Sequence, residues 1–127
     1  MHRKHNPITI APAYSNYVNG TEVDSDKRWL YVSGQCGVRK DGSIPDGFAD
    51  QCEIALDNVI EVLKSADMDV EDIVKVTFYM LDREHLKEAR EIRDRKLRNI
   101  PVSSTLILVS GMILPEFKIE IECVAAR

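Results

Sequence analysis

The alternation of hydrophobic and polar positions predicts four main β-strands. Arg28 to Gln35 alternates between two faces, and Ile73 to Leu81 does the same in the middle of the chain. Two later apolar runs, Thr105–Val109 and Lys118–Val124, are rich in β-branched residues and short enough to be strands. The apolar face of the second strand is predicted to consist of Val74, Val76, Phe78 and Met80.

Two segments have the periodicity of helices. Between Ala49 and Ser65, apolar residues recur at i, i+3, i+4 and i+7. A second helix is predicted over about Asp82 to Leu97, with Asp82 as its N-cap. Its apolar face is thin. Leu86 and Leu97 are joined there by Arg90 and Arg93, which lie on the same stripe of the helix. Either these arginines lie at the edge of the stripe and extend to water, or at least one faces a cleft and binds an anion.

The remaining segments are predicted to be short or irregular. Residues 1–7 are expected to form a flexible tail, followed by a short edge strand at Ile8–Ile10. Asn19-Gly20 is a typical hairpin dipeptide and precedes a polar surface excursion that ends at Lys27. Val38–Ile44 is predicted to be a hairpin that turns at Asp41-Gly42.

This order of elements predicts one α+β domain over residues 1–127. Two helices on one face of a mixed β-sheet form a two-layer sandwich. The strands carry apolar or aromatic side chains on both faces, such as Tyr31 on one and Val32 on the other. The face away from the helices is therefore predicted to pack against another subunit in an oligomer.

Composition narrows the classes of partner. A net charge of −4 and a pI of about 5.4 argue against nucleic acid as the main partner. No apolar run approaches the length of a membrane span, and no secretory signal is recognised. Three widely spaced cysteines, Cys36, Cys52 and Cys123, are typical of reduced thiols, which predicts a cytoplasmic protein.

The sequence has no phosphate-binding loop, metal-ligand motif or nucleophile motif, so no cofactor and no metal are expected. What remains is a set of polar residues in or next to apolar strands. They are Tyr14, Ser33, Gln35, Ser103, Thr105, Glu120 and Glu122. Each could simply form hydrogen bonds at a strand end or interface. Their coincidence also fits a shared site, because buried polar groups need partners.

Five segments in order give the chain a resemblance to the Rid family of reactive intermediate deaminases, also called YjgF-like. The similarity runs from Ala11 to Ala126. The segments that carry it are Pro12–Ser15, Val32–Gln35, the helix between Gly47 and Ala66, Asp72–Asp82 and Glu120–Ala125.

The resemblance implies a chorismate-mutase-like homotrimer with three clefts between subunits, each binding a small molecule. Members of the family hydrolyse reactive enamines and imines to 2-oxo compounds and ammonia without a cofactor. By position, Glu120 corresponds to the family glutamate that orients water, and Tyr14 to the pocket tyrosine. Ser33 and Gly34 correspond to the backbone around the pocket.

The chain departs from the family at the group that binds the substrate carboxylate. Ser103 stands where the family has an arginine, Thr105 where it has a cysteine, and Arg90 where it has an asparagine. A serine cannot replace a bidentate guanidinium, so the usual imines should bind poorly unless Arg90 supplies the charge.

Three functional hypotheses follow. The first is a divergent enamine or imine deaminase. The second is a catalytically silent trimer that binds or senses a small ligand. The third, a ribonuclease, is disfavoured by the acidic pI.

Overall fold

The computed structural model describes residues 2–127 as a sheet with two helices on one face and a small separate ribbon of two strands. The strands are β1 (Arg3–His5), β2 (Gly20–Glu22), β3 (Trp29–Cys36), β4 (Ile73–Met80), β5 (Ser103–Leu108) and β6 (Ile119–Ala126). The helices are α1 (Phe48–Ser65) and α2 (Leu86–Lys96). The predicted α+β two-layer fold and both predicted helices are confirmed.

The main sheet has the strand order β3-β6-β4-β5. Strand β6 is antiparallel to both of its neighbours, whereas β5 runs parallel to β4. A parallel pair needs a crossover connection, and α2 provides it between β4 and β5. The sheet is therefore mixed, and β5 is one of its two edge strands.

The core lies between the helices and one face of the sheet. In β6, Ile119, Ile121 and Cys123 are buried, while Glu120 and Glu122 between them are partly exposed on the other face. Helix α1 contributes fully buried residues such as Leu56. This alternation defines a helix-side face and an outer face of the sheet.

Cys52 and the start of β4 show how individual residues enter the core. Burial raises the pKa of the Cys52 thiol to about 12, so it is an inert core residue. In β4, an irregularity in the pairing after Ile73 places Ile73 in the core, whereas Val74 is only partly buried. The predicted apolar face is thus wrong for Val74, because the periodicity assumes an unbroken strand.

The start of the chain differs from the prediction. Instead of a flexible tail, Arg3–His5 pairs with Gly20–Glu22 as an antiparallel ribbon. Arg3 Nη2 lies 2.6 Å from Glu22 Oε1, and His5 Nε2 lies 2.8 Å from Glu22 Oε2. The tail prediction is therefore wrong from Arg3 onwards, because charge pairs with Glu22 hold this segment in place. Met1 lies outside the described residues.

The predicted hairpins are also corrected. Asn19-Gly20 does not reverse the chain: Val18 bridges Ser103 in parallel, and the chain continues directly into β2. Ile8–Ile10 lies in turns rather than an edge strand, so that prediction is wrong too. Gly42 turns with a φ of +87°, as Asp41-Gly42 predicts, but residues 38–44 contain no strand.

The second helix begins with a short turn of tighter helix. Asp82 Oδ1 accepts a hydrogen bond from the Glu84 N–H at 2.9 Å, which confirms Asp82 as a cap. A 3₁₀ turn over Arg83–His85 then leads into α2. Within residues 2–127, no helix has the length and apolar character needed to cross a membrane.

Candidate functional site

Glu120 lies on the outer face of the sheet, opposite an irregularity in β3. The pairing between β3 and β6 shifts register between Val32 and Gln35, which places Cys36 opposite Glu120. A Cβ atom added to Gly34 would lie 2.7 Å from Glu120 Cδ, closer than real side chains approach. The glycine therefore allows the carboxylate to lie directly against the β3 backbone.

The Glu120 carboxylate borders a cavity and has one thiol partner. Cys36 Sγ donates to Glu120 Oε1 at 3.3 Å. Burial, and then the hydrogen bond to Glu120 and its negative charge, raise the pKa of Cys36 to about 12. The cavity has a volume of about 290 Å³ and is lined by Tyr79, Val109, Gly111, Met112, Ile113 and Glu120. Cys36 is thus a protonated donor that holds the carboxylate, rather than a nucleophile.

The second outer-face carboxylate has a different partner. The Tyr79 hydroxyl donates a hydrogen bond to Glu122 Oε1. This bond, with a smaller contribution from desolvation, raises the pKa of Tyr79. Glu122 is therefore engaged in a cross-strand hydrogen bond, while no cation within the described part of the chain lies within 4 Å of Glu120.

Ser103 and Thr105 occupy the outer face of the edge strand β5. Ser103 Oγ and Thr21 Oγ1 are 2.7 Å apart, so the serine links β5 to β2. Lys75 Nζ donates to Thr105 Oγ1 at 2.6 Å. Sequence analysis did not single out Lys75. The sequence pattern places Lys75 on the polar side of β4, which could have identified it. The parallel pairing of β4 with β5 puts Lys75 opposite Ser103.

Arg90 and Tyr14 meet in a groove on the helix side of β5. This groove has a volume of about 190 Å³ and is lined by Tyr14, Ser15, Tyr17, Arg90, Arg93, Ser104 and Leu106. Arg93 is only 5 % exposed, so the interpretation that the arginines extend to water is wrong for that residue. Successive residues of a strand face opposite ways, which places Ser104 toward Arg90 and Ser103 away from it.

The candidate residues thus form three groups within the chain. Ser33, Gly34 and Glu120 lie together at the β3 bulge. Ser103 and Thr105 lie on the outer face of β5, and Tyr14 and Arg90 lie in the helix-side groove. Their proposed roles stay predictions, as does the expectation that no metal or cofactor is used. Among residues 2–127, no three His, Cys, Asp or Glu side chains come close enough to hold a metal ion.

Comparison with known proteins places the chain in a family. Residues 8–127 match the family model described as Endoribonuclease L-PSP. A RutC family protein of Aquifex aeolicus is 32% identical over 123 residues, which cover 95% of this chain and 93% of that protein. The 2-iminobutanoate/2-iminopropanoate deaminase of Rattus norvegicus is 32% identical over 104 residues, which cover 79% of this chain and 74% of the relative.

The fold has a similar counterpart among solved structures. The crystal structure of YyfB from Yersinia pestis, a member of the conserved Rid protein family, superposes with a TM-score of 0.89. It is 26% identical, and the match covers 99% of this chain and 98% of that one. The family match, the curated relatives and the shared fold agree with the motifs found in the sequence. The chain therefore belongs to the Rid (YjgF-like) family.

Proposed function

We propose that this protein is a cofactor-independent hydrolase that deaminates enamines or imines. In the proposed reaction, an enamine first becomes an imine by moving a proton from nitrogen to carbon. The oxygen of water then bonds to the imine carbon, both protons of that water pass to the nitrogen, and the carbon–nitrogen bond breaks to release ammonia and a 2-oxo compound. The name of the rat relative, a 2-iminobutanoate/2-iminopropanoate deaminase, supports this class of reaction.

The observation that carries the proposal is the environment of Glu120. An imine carbon is already electrophilic, so the protein needs only to bind the substrate, place a water molecule and transfer a proton. Glu120 has no ion-pair partner among the described residues, faces a cavity, and is held on one oxygen by Cys36. A carboxylate in that setting can accept a proton from water, and we assign it the catalytic role.

We also propose a homotrimer with binding clefts between subunits. The outer face of the sheet leaves Trp29 46% exposed and Tyr31 74% exposed, and Ile107 on β5 is 44% exposed. Such residues favour burial against a neighbouring copy. Glu120, Ser33 and Gly34 would border such a cleft from the outer face of the sheet. Binding of the small-molecule ligand by Tyr14, Arg90, Ser103 and Thr105 stays a prediction. The cytoplasmic location, and the absence of nucleic acid and membrane partners, stay predictions.

The proposal is tested by generating 2-aminoacrylate in situ and following the release of pyruvate. Wild-type protein should accelerate release, and Glu120→Gln should lower that acceleration on the order of 10²-fold, a typical contribution of a general base. Glu61→Gln is the control, because Glu61 is exposed on α1 and forms an ion pair with Lys64, away from the cavity. Full activity in Glu120→Gln would contradict the assignment.

A second candidate, a ligand-binding protein without catalysis, is favoured by one observation. The Ser103 hydroxyl already bonds to Thr21 and carries no charge, whereas the family has an arginine at that position. If wild-type protein gives no acceleration and Ser103→Arg gains it, this second function is supported. If wild-type activity depends on Glu120, it is excluded.

A further inference from the structure

Tyr79 lies beside Glu120 on the outer face of the sheet and is held there by Glu122. Tyr79 and Glu120 are direct partners in the pairing of β4 with β6, and both line the same cavity of about 290 Å³. The Tyr79 hydroxyl donates to Glu122 Oε1, which fixes the position of the aromatic side chain. The cavity therefore presents an electron-rich aromatic group next to a carboxylate, and the proposed hydrolysis assigns no role to the aromatic group.

The charge in this cavity is negative. Of its lining residues in the described part of the chain, only Glu120 is charged. Cys36 donates to Glu120 Oε1, whereas Oε2 has no hydrogen-bond partner among residues 2–127. The hydrogen bond to Glu122 raises the pKa of Tyr79, so the phenol stays protonated and neutral at neutral pH. A cavity whose one charge is an unpaired carboxylate favours a positively charged ligand.

The rest of the cavity wall is largely apolar. Val109, Met112 and Ile113 line it, and the Val109 N–H donates to the Met80 carbonyl at 2.8 Å, which anchors the start of this wall. Ile113 is 87% exposed, so the cavity is open to solvent on that side. An aromatic side chain attracts a cation through its π-electrons, and a carboxylate attracts it through its charge. This combination suits an organic cation that carries an apolar substituent.

We propose that the cavity between Glu120 and Tyr79 binds the protonated nitrogen of an organic cation, with Glu120 as the opposite charge and Tyr79 as the aromatic contact. Glu122 is a positioning residue that holds Tyr79. For the deaminase proposed above, on which this part of the inference rests, the ligand is the iminium form of the substrate, which is more electrophilic than the neutral imine. The nitrogen takes its extra proton from solvent, and this proton returns to solvent when neutral ammonia leaves.

The test is an NMR titration of ¹⁵N-labelled full-length protein with acetamidinium chloride at neutral pH and constant ionic strength. Acetamidinium is a stable planar cation whose N–H groups resemble those of an iminium ion. Acetamide, a neutral molecule of nearly the same shape, is titrated in parallel. Saturable shifts are expected for the backbone amides of residues 79, 109–113 and 120. The Kd for acetamidinium should be lower than that for acetamide by about tenfold or more.

Variants separate the contributions to binding. Glu120→Gln should raise the Kd for acetamidinium by about tenfold or more and leave that for acetamide unchanged. Tyr79→Leu should raise the Kd for acetamidinium by about threefold to tenfold, the loss of one cation–π contact, and Glu122→Gln by a smaller factor.

The matched control is Tyr31→Leu, which removes another tyrosine from the outer face. Tyr31 is 74% exposed and does not line the cavity, so its variant should bind acetamidinium as the wild type does. Thermal unfolding is recorded for each variant. If Tyr79→Leu does not fold, the partly exposed Glu120 carries the test through Glu120→Gln.

Three results would overturn the inference. The first is the absence of saturable acetamidinium binding to the wild type. The second is equal affinity of the wild type for acetamidinium and acetamide. The third is wild-type affinity for acetamidinium in a folded Glu120→Gln or Tyr79→Leu variant. Because binding is measured without turnover, a protein that binds acetamidinium through both residues but does not accelerate pyruvate release would refute only the proposed deaminase. A protein that accelerates release without preferring acetamidinium would refute only this inference.

Discussion

Gly34 allows the position of the Glu120 carboxylate to be tested without removing it. A methyl group at residue 34 would lie 2.7 Å from Glu120 Cδ and 2.8 Å from Oε2, whereas ordinary contact begins at 3.4 Å. The carboxylate must then move by roughly 0.7 Å, and a misplacement of about 1 Å can cost on the order of 10²-fold in rate. Since the displaced atoms end a flexible side chain, the β3 backbone need not shift.

We therefore expect Gly34→Ala to lower kcat/KM for imine hydrolysis by roughly tenfold to 10²-fold, while the free energy of unfolding changes by less than about 1 kcal/mol. The measurements are pyruvate release from 2-aminoacrylate and urea unfolding. Gly20→Ala is the control, because an added Cβ in that strand residue would meet only His5 Cβ at 3.7 Å. Wild-type rates in a Gly34→Ala protein whose crystal structure shows a displaced Glu120 would refute the reasoning.

Three further predictions follow from contacts elsewhere in the fold. Glu120→Gln should lower the pKa of Cys36 from about 12 by removing the adjacent negative charge; faster iodoacetamide labelling at alkaline pH, located by mass spectrometry, checks it. Gln51→Ala should destabilise the protein by about 3 kcal/mol or more in urea unfolding, because the buried side chain donates to the Pro45 and Glu116 carbonyls and accepts from a backbone N–H. Gln51→Met fills the same volume without these hydrogen bonds, so it should be destabilised nearly as much as Gln51→Ala. Arg3 and His5 lower the folded-state pKa of Glu22 from 4.5 to about 2. The ionised Glu22 therefore stabilises the ribbon fully above pH 4.5, and this stabilisation is lost as the pH falls through 2. Hydrogen exchange of the β1 and β2 amides should show this pH dependence, and Glu22→Gln should abolish it.

The main sheet and α1 were predictable because their signal is local. In β6, consecutive residues alternate between the buried Ile119 and Ile121 and the partly exposed Glu120, so the strand and its buried face can be identified from the sequence alone. The ribbon of β1 and β2 was missed because its charge pairs, such as Arg3 with Glu22, join segments separated by 19 positions. A short polar segment has no hydrophobic periodicity from which its pairing with a distant strand could be predicted.

The sequence names candidate site residues, but it does not say which of them lie together in space. The motif around Gly34 and Glu120 identifies two residues that do lie in contact. The burial of Arg93 was missed, because an arginine on a thin apolar stripe usually reaches water. The segment at residues 14–18 lies far from α2 in sequence, yet its side chains line the same groove as Arg93.

The central place of β6 has a consequence for how the chain acquires its structure. Strands β3 and β4 each pair with β6 and not with each other, and Trp29 pairs with Ala126 near the opposite end of the sequence. The sheet therefore cannot assemble in the order in which its strands are synthesised. Proteins dominated by such distant pairings fold slowly, and their unpaired strand edges stay exposed to aggregation meanwhile. An N-terminal fragment that lacks β6 would present β3 and β4 with open edges and should aggregate rather than fold.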